Sequence, residues 1–301
     1  MRVTIAAPAK INLFLEITGR RNDGYHIIDT VMQTVSLFDD ITVTYDEDGS
    51  GIKLSCTDDE IPCDSTNTAY KAAEAFFEAT GAKTGGVTIK IKKRIPSGAG
   101  LAGGSADAAG VLVALNELTD SGLDTESLAE IGEKIGADVP FCICSSTMSA
   151  SGIGTILSPL PDMPGCSIVI IKPDFKISTK QAYETSDKLG YDNIRTGDKM
   201  VNAVCNGSLR EISCNLYNKF EDVADEAEIE LIKNELMEAG AEGALMTGSG
   251  SAVFGIFEDE DCAEDCRNMM SKKYDCVYLV YPEASGPRQI SSGGLFGAIF
   301  D

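Results

Sequence analysis

Hydrophobic positions alternate with other positions along the first part of the chain, a pattern that predicts β-strands with one buried face. The clearest run is Ile11, Leu13, Leu15 and Ile17. Alternation together with residues that favour strands predicts further strands at 30–38, 40–45, 51–56 and 87–93. The N-terminal half is therefore predicted to be rich in strands.

Helical spacing and helix-end signals predict three helices in the same half. Residues 65–81, STNTAYKAAEAFFEATG, begin with polar capping residues, continue through alanines and two phenylalanines, and stop at Gly81. Residues 105–118 predict a strongly apolar helix, and residues 124–136 predict an amphipathic one.

A change of composition at 157–165, LSPLPDMPG, predicts a linker, because three prolines interrupt any regular element there. Beyond it the pattern predicts a strand at 167–171 and a series of helices from 178 to about 239. A hairpin around TGSGS, with strands at 244–247 and 252–257, is predicted to follow, and then a helix at 262–272 and a last strand at 276–281. We predict an α+β protein with helices packed against a sheet, divided into domains at 1–156 and 157–301.

Composition narrows the function. The chain has 47 acidic and 25 basic residues and a net charge of −22. This balance argues against binding nucleic acid or docking on an anionic membrane, since both need a basic face. No apolar run approaches the ~20 residues of a membrane span, and the N-terminus lacks the apolar stretch of a signal peptide. We expect a cytoplasmic protein with reduced cysteines.

The segment 92–110, KKRIPSGAGLAGGSADAAG, has the pattern of a phosphate-binding turn. Its four glycines, at 98, 100, 103 and 104, allow backbone N–H groups to approach a ligand closely. A helix predicted to begin near Ser105 would direct its unpaired amides and positive dipole end to the same place. A flexible turn before a helix is the alternative, but the basic run ahead of the glycines favours an anion such as a triphosphate.

Known phosphate-binding motifs fit this segment poorly. Gly98, Gly100 and Gly103 match the dinucleotide pattern G-x-G-x-x-G, but the candidate ribose-binding acid, Asp124, opens a helix instead of ending a strand. A P-loop would continue with Lys and Ser or Thr, whereas Gly104 is followed by Ser-Ala. The H-R-D and D-F-G motifs of protein kinases do not follow either.

Three segments in order resemble the motifs of the GHMP small-molecule kinases: PAKINLFLEI at 8–17, PSGAGLAGGSADAA at 96–109 and TGSGSAVF at 247–254. RNDGYH at 21–26 and GADVPF at 136–141 make the chain similar to the branch whose alcohol substrate carries a cytidine diphosphate. The resemblance covers roughly residues 1–281. One departure is Ser105-Ala106, where the family often has Ser-Ser.

The resemblance implies a two-domain GHMP kinase fold. An N-terminal domain with a left-handed βαβ unit and a C-terminal ferredoxin-like domain would enclose a cleft. It also implies transfer of the ATP γ-phosphate, with Mg²⁺, to the 2-hydroxyl of a cytidine-linked methylerythritol. A sibling kinase acting on mevalonate-type or homoserine-type alcohols is an alternative, as is a non-catalytic nucleotide-binding paralogue. The partner is expected to be a small molecule, and the protein a monomer or weak homodimer.

Asp138, taken alone, is most simply a helix cap ahead of Pro140. The resemblance instead implies that it is the catalytic base, with Lys10 beside it to keep the carboxylate ionised and to orient the hydroxyl. A non-catalytic paralogue would be expected to have lost one of these two residues, and both are present.

The resemblance further implies two sets of binding residues. The ATP set includes Asn67 and Lys93, which could equally be a helix cap and a solvated strand charge, and Ser105, which is also the expected Mg²⁺ ligand. The whole ATP set is Pro96, Ser97, Gly98, Ala99, Gly100, Leu101, Ala102, Gly103, Gly104, Ser105, Ala106, Asn67 and Lys93. The substrate set is Asn12, Tyr25, His26, Tyr183, Gly248 and Ser249.

His26 is the only histidine in the chain. Alone it suggests a surface or core histidine beside a turn. The resemblance implies that its imidazole meets the polar edge of the cytosine, with Tyr25 against one face of the base and Tyr183 against the other. An inward-packed helix residue is the alternative for Tyr183.

Overall fold

The computed structural model describes residues 1–191, 194–222, 224 and 227–290. Its first two strands, β1 (Arg2–Arg20) and β2 (His26–Asp46), form one long antiparallel hairpin. The predicted strands at 30–38 and 40–45 are thus a single strand. The acidic residue that separates them in the sequence, Asp39, is fully buried and accepts hydrogen bonds from the Arg94 and Ile95 amides, so the strand continues through it.

A βαβ unit follows the hairpin. Strands β3 (Gly51–Cys56) and β4 (Gly86–Lys92) are parallel neighbours, connected through helix α1 (Thr68–Thr80). Gly81 ends the helix with φ of 65°, a left-handed conformation that glycine adopts without a Cβ penalty. The predicted helix and its C-terminal stop are confirmed.

Three further helices complete the first half: α2 (Gly103–Leu118), α3 (Thr125–Glu133) and α4 (Val139–Cys144). Helix α2 packs against α1 and the β1–β2 hairpin. Its alanine, valine and leucine side chains are almost all buried, which explains why its sequence is apolar on most sides. The predicted apolar and amphipathic helices are confirmed as α2 and α3.

Two more strands, β5 (Thr147–Ser151) and β6 (Ile156–Pro159), extend the first sheet at β2. The predicted linker at 157–165 is therefore wrong over 157–159. Pro159 is compatible with a strand here because β6 pairs only with β5 and lies at an edge of the sheet. The boundary at 156/157 lies within β6, and the division into domains at that point stays a prediction.

The second half has its own four-stranded antiparallel sheet. Its strands are β7 (Ser167–Lys172), β9 (Gly243–Met246), β10 (Val253–Phe257) and β11 (Cys276–Val280), in the spatial order β11-β7-β10-β9. Its helices are α5 (Thr179–Leu189), α6 (Asp198–Cys205), α7 (Leu209–Cys214), α8 (Ala227–Glu238) and α9 (Glu260–Met270). This arrangement is ferredoxin-like, and the predicted TGSGS hairpin is the β9–β10 pair.

Two short strands of the second half return to the first sheet. Strand β8 (Tyr217–Asn218) pairs with β1 in parallel, and β12 (Arg288–Gln289) pairs with β1 antiparallel. Tyr217–Asn218 interrupts the interval predicted to be helical, where a short 3-10 helix, Lys219–Asp222, follows it. In the described ranges no helix is long and apolar enough to cross a membrane. Residues 291–301 of the predicted second domain lie outside the described residues.

Candidate active site

A cleft of about 750 Å³ is lined by residues of both halves of the molecule. It brings together every site residue predicted from the sequence except Ala106, whose side chain is buried in α2. The lining includes the whole glycine segment 96–105, the Lys10 and Asp138 pair, and the aromatic residues near His26. The structure adds residues that the sequence did not single out, among them Asp107, Thr179 and Phe220.

The glycine segment forms a turn that opens onto the N-terminus of α2. Gly98 and Gly100 have φ of 64° and 77°, which favours glycine at both positions. Ala102 at the helix start is also left-handed, and no side chain caps α2 there. The backbone N–H groups of the first turn are therefore not bound by a capping side chain, an arrangement that suits an anion.

A second glycine turn, between β9 and β10, packs directly against the first. A Cβ atom on Gly100 would lie 2.0 Å from the Thr247 carbonyl oxygen, and one on Gly248 would lie 2.9 Å from the Gly100 Cα. The Ala252 amide also donates to the Ala99 carbonyl oxygen at 3.1 Å. Glycine is thus required where the backbones of the two turns meet.

Lys10 and Asp138 face each other across the cleft. The Lys10 ammonium is 3.9 Å from Asp138 Oδ2, with side-chain exposures of 5% and 41%. Asp138 lies at the N-cap position of α4, but its side chain makes no capping hydrogen bond. Asp138 therefore occupies the position of a helix cap, but its carboxylate does not cap the helix and is free to contact a ligand.

Buried polar groups fix the position of Lys10. Its backbone N–H donates to the Leu101 carbonyl oxygen at 3.2 Å, which ties β1 to the glycine turn. Its ammonium donates to Asn12 Oδ1 at 2.7 Å, and Asn12 Nδ2 donates to Thr30 Oγ1 at 2.9 Å. The backbone N–H of Asn12 also donates to Thr247 Oγ1 at 3.0 Å, so both glycine turns are linked to Lys10.

Lys93 lines the cleft but is already engaged. Its ammonium donates to Asp39 Oδ2 and to Asp107 Oδ2, the latter at 2.9 Å, and all three side chains are at most 6% exposed. Burial alone would lower the pKa of Lys93, but the two carboxylates outweigh it and raise that pKa. Burial raises the pKa of Asp107 despite the ammonium beside it. Asp107 Oδ1 is buried without a hydrogen-bond partner among the described residues.

Asn67 also has a structural role. Its Oδ1 accepts from the Ala69 amide at 2.8 Å, which caps α1, and its Nδ2 donates to the Pro62 carbonyl oxygen at 2.7 Å. The second N–H of Nδ2 is the remaining donor for a ligand in the cleft.

His26 lines the same cleft within an aromatic cluster. Its ring stacks on Tyr183 with centroids 4.2 Å apart, and Tyr183 meets the edge of Phe220 at 4.9 Å. His26 Nε2 lies 2.7 Å from Asp187 Oδ1. Tyr25 is 60% exposed beside them. Tyr183 therefore contacts His26 itself, while Tyr25 has an open face.

Near the second glycine turn, Ser249 Oγ is 2.7 Å from Thr179 Oγ1, and the Gly248 carbonyl oxygen accepts from Asn218 Nδ2 at 2.8 Å.

Ser105, the expected Mg²⁺ ligand, lies at the start of α2 and lines the cleft. Within the described part of the chain, no group of three or more His, Cys, Asp or Glu side chains is placed to hold a metal.

Asp187 is the site residue that sequence reasoning missed most clearly. It lies four residues after Tyr183 in the predicted helix, a spacing that places both side chains on one helix face. Asp39 and Asp107 carried no such signal, because acidic residues in a strongly acidic chain do not stand out.

Comparisons with known proteins agree with this geometry. The family model described as the GHMP kinases N terminal domain matches residues 67–146, and the one described as GHMP kinases C terminal matches residues 203–276. The chain belongs to the GHMP kinase family. The resemblance deduced from the sequence motifs and the two-domain GHMP kinase fold are confirmed.

Among curated relatives, this chain is similar to the 4-diphosphocytidyl-2-C-methyl-D-erythritol kinases of Clostridium kluyveri and Clostridium tetani. They are 40% and 42% identical over 277 residues, each covering 91% of this chain and 98% of the relative. A crystal structure of 4-(cytidine 5'-diphospho)-2C-methyl-D-erythritol kinase has a TM-score of 0.78 at 32% identity and covers 94% of this chain and 100% of that one.

Other GHMP kinases share the fold at lower identity. Homoserine kinase from Cytophaga hutchinsonii has a TM-score of 0.75 at 19% identity and covers 96% of this chain and 97% of its own. The L. major mevalonate kinase has a TM-score of 0.76 at 15% identity and covers 93% of this chain and 96% of its own. These likenesses support the fold alone.

Proposed function

We propose that this protein transfers the γ-phosphate of ATP to the 2-hydroxyl of 4-diphosphocytidyl-2-C-methyl-D-erythritol. The observation that carries the proposal is that the Lys10–Asp138 pair, the two glycine turns and the His26 cluster line one cleft. The names of the relatives at about 40% identity support the same substrate.

In the proposed reaction, Asp138 accepts the proton of the 2-hydroxyl as its oxygen forms a bond to the γ-phosphorus. The bond from that phosphorus to the oxygen of the leaving ADP breaks at the same time. The Lys10 ammonium lies beside Asp138 and can orient the hydroxyl and offset charge on the transferred group. Positioning and charge stabilisation supply most of the catalysis, because the transition state is loose.

The ATP phosphates would lie on the glycine turn, Pro96 to Ser105, against the uncapped N-terminus of α2. The side chain of Ala106 is buried, so Ala106 would contribute to ATP binding only as part of helix α2. Asn67 and Lys93 line the same cleft, and contact of either with the nucleotide stays a prediction because both are hydrogen-bonded within the protein.

The donor set fits a Mg²⁺ ion held mainly by phosphate oxygens. The Ser105 hydroxyl lines the cleft and is an oxygen ligand of the kind that Mg²⁺ prefers. Mg²⁺, when bound with ATP, would neutralise the charge that develops on the phosphates.

For the alcohol substrate, His26, Tyr25 and Tyr183 would hold the cytosine, while Asn12, Gly248 and Ser249 would line the path to the transferred phosphate. The exposed ring of Tyr25 offers a face on which a base can stack. The stacking of Tyr183 on His26 favours an indirect role for Tyr183, in which it supports the imidazole.

A coupled assay that detects ADP tests the proposal, with ATP, Mg²⁺ and a panel of the cytidine-linked methylerythritol, mevalonate and homoserine. We expect turnover with the cytidine-linked alcohol alone. Preferential phosphorylation of mevalonate or homoserine would replace the proposal by a sibling activity, and ATP binding without any turnover would favour a non-catalytic paralogue.

A further inference from the structure

Helix α5 holds the only histidine of the chain through two side chains one helical turn apart. The Tyr183 ring stacks on the His26 imidazole with an interplanar angle of 18°, and Asp187 Oδ1 lies 2.7 Å from His26 Nε2. The stack fixes the plane of the imidazole, and the hydrogen bond fixes its rotation within that plane. Neither side chain is on the strand that carries His26, so the second half of the molecule orients a residue of the first.

Asp187 is itself held by two more groups. The Tyr191 hydroxyl donates to its Oδ1, and Arg20 Nη1 donates to its Oδ2 at 3.0 Å. The hydrogen bond from Tyr191, followed by those with His26 and the charge of Arg20, lowers the pKa of Asp187. Asp187 is therefore a carboxylate and can only accept hydrogen bonds at neutral pH.

An acceptor opposite Nε2 determines where the imidazole carries its proton. Since Asp187 offers no hydrogen to Nε2, that nitrogen must be the N–H donor, and in the neutral ring Nδ1 then keeps a lone pair. Among the described residues Nδ1 has no hydrogen-bond partner, whereas the ring lines the cleft with a side-chain exposure of 11%. Nδ1 is the one ring nitrogen left for a ligand.

We propose that Asp187 is a positioning residue that fixes the tautomer of His26 and so makes Nδ1 a hydrogen-bond acceptor toward the base of the substrate. This inference rests on the proposed function for the identity of that base. Cytosine carries an exocyclic amino group that can donate to Nδ1. Uracil carries a carbonyl oxygen at the same position, so two acceptors would face each other, which disfavours the wrong base.

The single histidine allows a direct test by ¹⁵N NMR of histidine-labelled protein, because only one imidazole contributes signals. At a pH where the ring is neutral, we expect wild-type protein to carry the proton on Nε2 alone. Asp187→Asn should populate both tautomers, since a carboxamide can either accept from Nε2–H or donate to Nε2. A wild-type proton on Nδ1, or an unchanged tautomer in Asp187→Asn, overturns the inference.

A matched control is Glu184→Gln. It removes one acidic charge from the same helix, at a side chain that pairs only weakly with Lys180 at 3.9 Å and is 56% exposed. The tautomer and the kinetics should stay as in the wild type. A purely electrostatic effect of charge loss on α5 would change both variants together and would count against the positioning role.

Kinetics test the consequence for specificity. Asp187→Asn should reduce the preference for the cytidine substrate over its uridine analogue by about 5- to 10-fold, the range expected for one hydrogen bond. The change should lie in KM for the cytidine substrate, with kcat and KM for ATP nearly unchanged. If the tautomer changes while the preference does not, the specificity role is wrong.

The two proposals fail in different ways. Absence of turnover with the cytidine substrate in the wild type would overturn the proposed function while the ¹⁵N signals still report the tautomer. A wild-type enzyme that strongly prefers cytidine but carries its proton on Nδ1 would keep the proposed function and overturn the role of Asp187.

Discussion

Two lysines lie beside carboxylates in the same cleft, and their surroundings differ. The Lys10 ammonium is 3.9 Å from Asp138, whose side chain is 41% exposed and makes no capping bond. Lys93 is closely paired with Asp39 and Asp107, and all three side chains are almost inaccessible. Similar residue types therefore form a loose pair open to ligands and a closed, buried ion cluster.

This difference shows which pair can do chemistry. A group that transfers a proton must reach the substrate, and the open carboxylate of Asp138 can do so. A buried cluster whose ammonium is shared by two carboxylates instead fixes local structure, and removal of one member leaves the others buried without a partner. The cluster joins β2 and α2 to Lys93, the residue that follows β4, and it lies next to the glycine turn, since a Cβ on Gly103 would lie 3.1 Å from Lys93 Nζ.

The largest effect is expected from Lys93→Met, which removes the cation from the buried cluster. The carboxyl groups of Asp39 and Asp107 would then be buried without their hydrogen-bond donor, so the free energy of unfolding should fall by about 3–5 kcal/mol in urea denaturation. Lys92→Met, at the exposed neighbouring position, is the control and should be nearly neutral. Equal stabilities of the two variants would show that the cluster is not structural.

Asp138→Ala should affect catalysis and leave stability almost unchanged. We expect turnover to fall ~10²-fold or more, the range of lost acid–base assistance, with little change in ATP affinity. Steady-state kinetics and ATP titration measure the two quantities.

The matched control for Asp138→Ala is Asp124→Ala. Asp124 truly caps α3, because its side chain accepts from the Ser127 amide at 2.8 Å. This variant should lose about 1 kcal/mol of unfolding free energy and keep its turnover. Turnover of Asp138→Ala within a few-fold of the wild type would make Asp138 a helix-terminal residue without a catalytic role.

Lys10→Ala should lower turnover by a comparable factor of ~10², since it removes the charge that orients Asp138 and the hydroxyl. Steady-state kinetics with the cytidine-linked alcohol measure this loss. Turnover of Lys10→Ala within a few-fold of the wild type would contradict a catalytic role for Lys10.

The smallest effect concerns the pH dependence of stability. Burial raises the folded-state pKa of Asp107, so above the ordinary carboxyl pKa of about 3.9 the folded state binds more protons than the unfolded state. The free energy of unfolding then decreases as pH rises, by at most about 1.4 kcal/mol per unit. Denaturation at pH 5, 6 and 7 should show that the free energy of unfolding decreases less steeply with pH in Asp107→Asn than in the wild type. Equal slopes for the two proteins would contradict the raised pKa of Asp107.

Much of the fold could be predicted from the sequence, because hydrophobic periodicity and helix-end residues act locally. The α1 helix with its Gly81 stop, the apolar α2 and the TGSGS hairpin all follow from such signals. Two predictions were wrong, the linker at 157–159 and the strand break at Asp39, because both segments depend on distant partners. Residues 157–159 pair with strand β5, and Asp39 accepts from the amides that follow β4.

The sequence by itself determined the family and the residues of the candidate site, because the motifs keep the glycines, lysine and carboxylate at fixed spacings. Only the tertiary structure decided which charges are paired and which are open. It buried Lys93 between two carboxylates from separate elements and left Asp138 accessible. It also brought Asp187 to His26 across 161 residues of chain, and such contacts depend on packing in space, which local patterns do not encode.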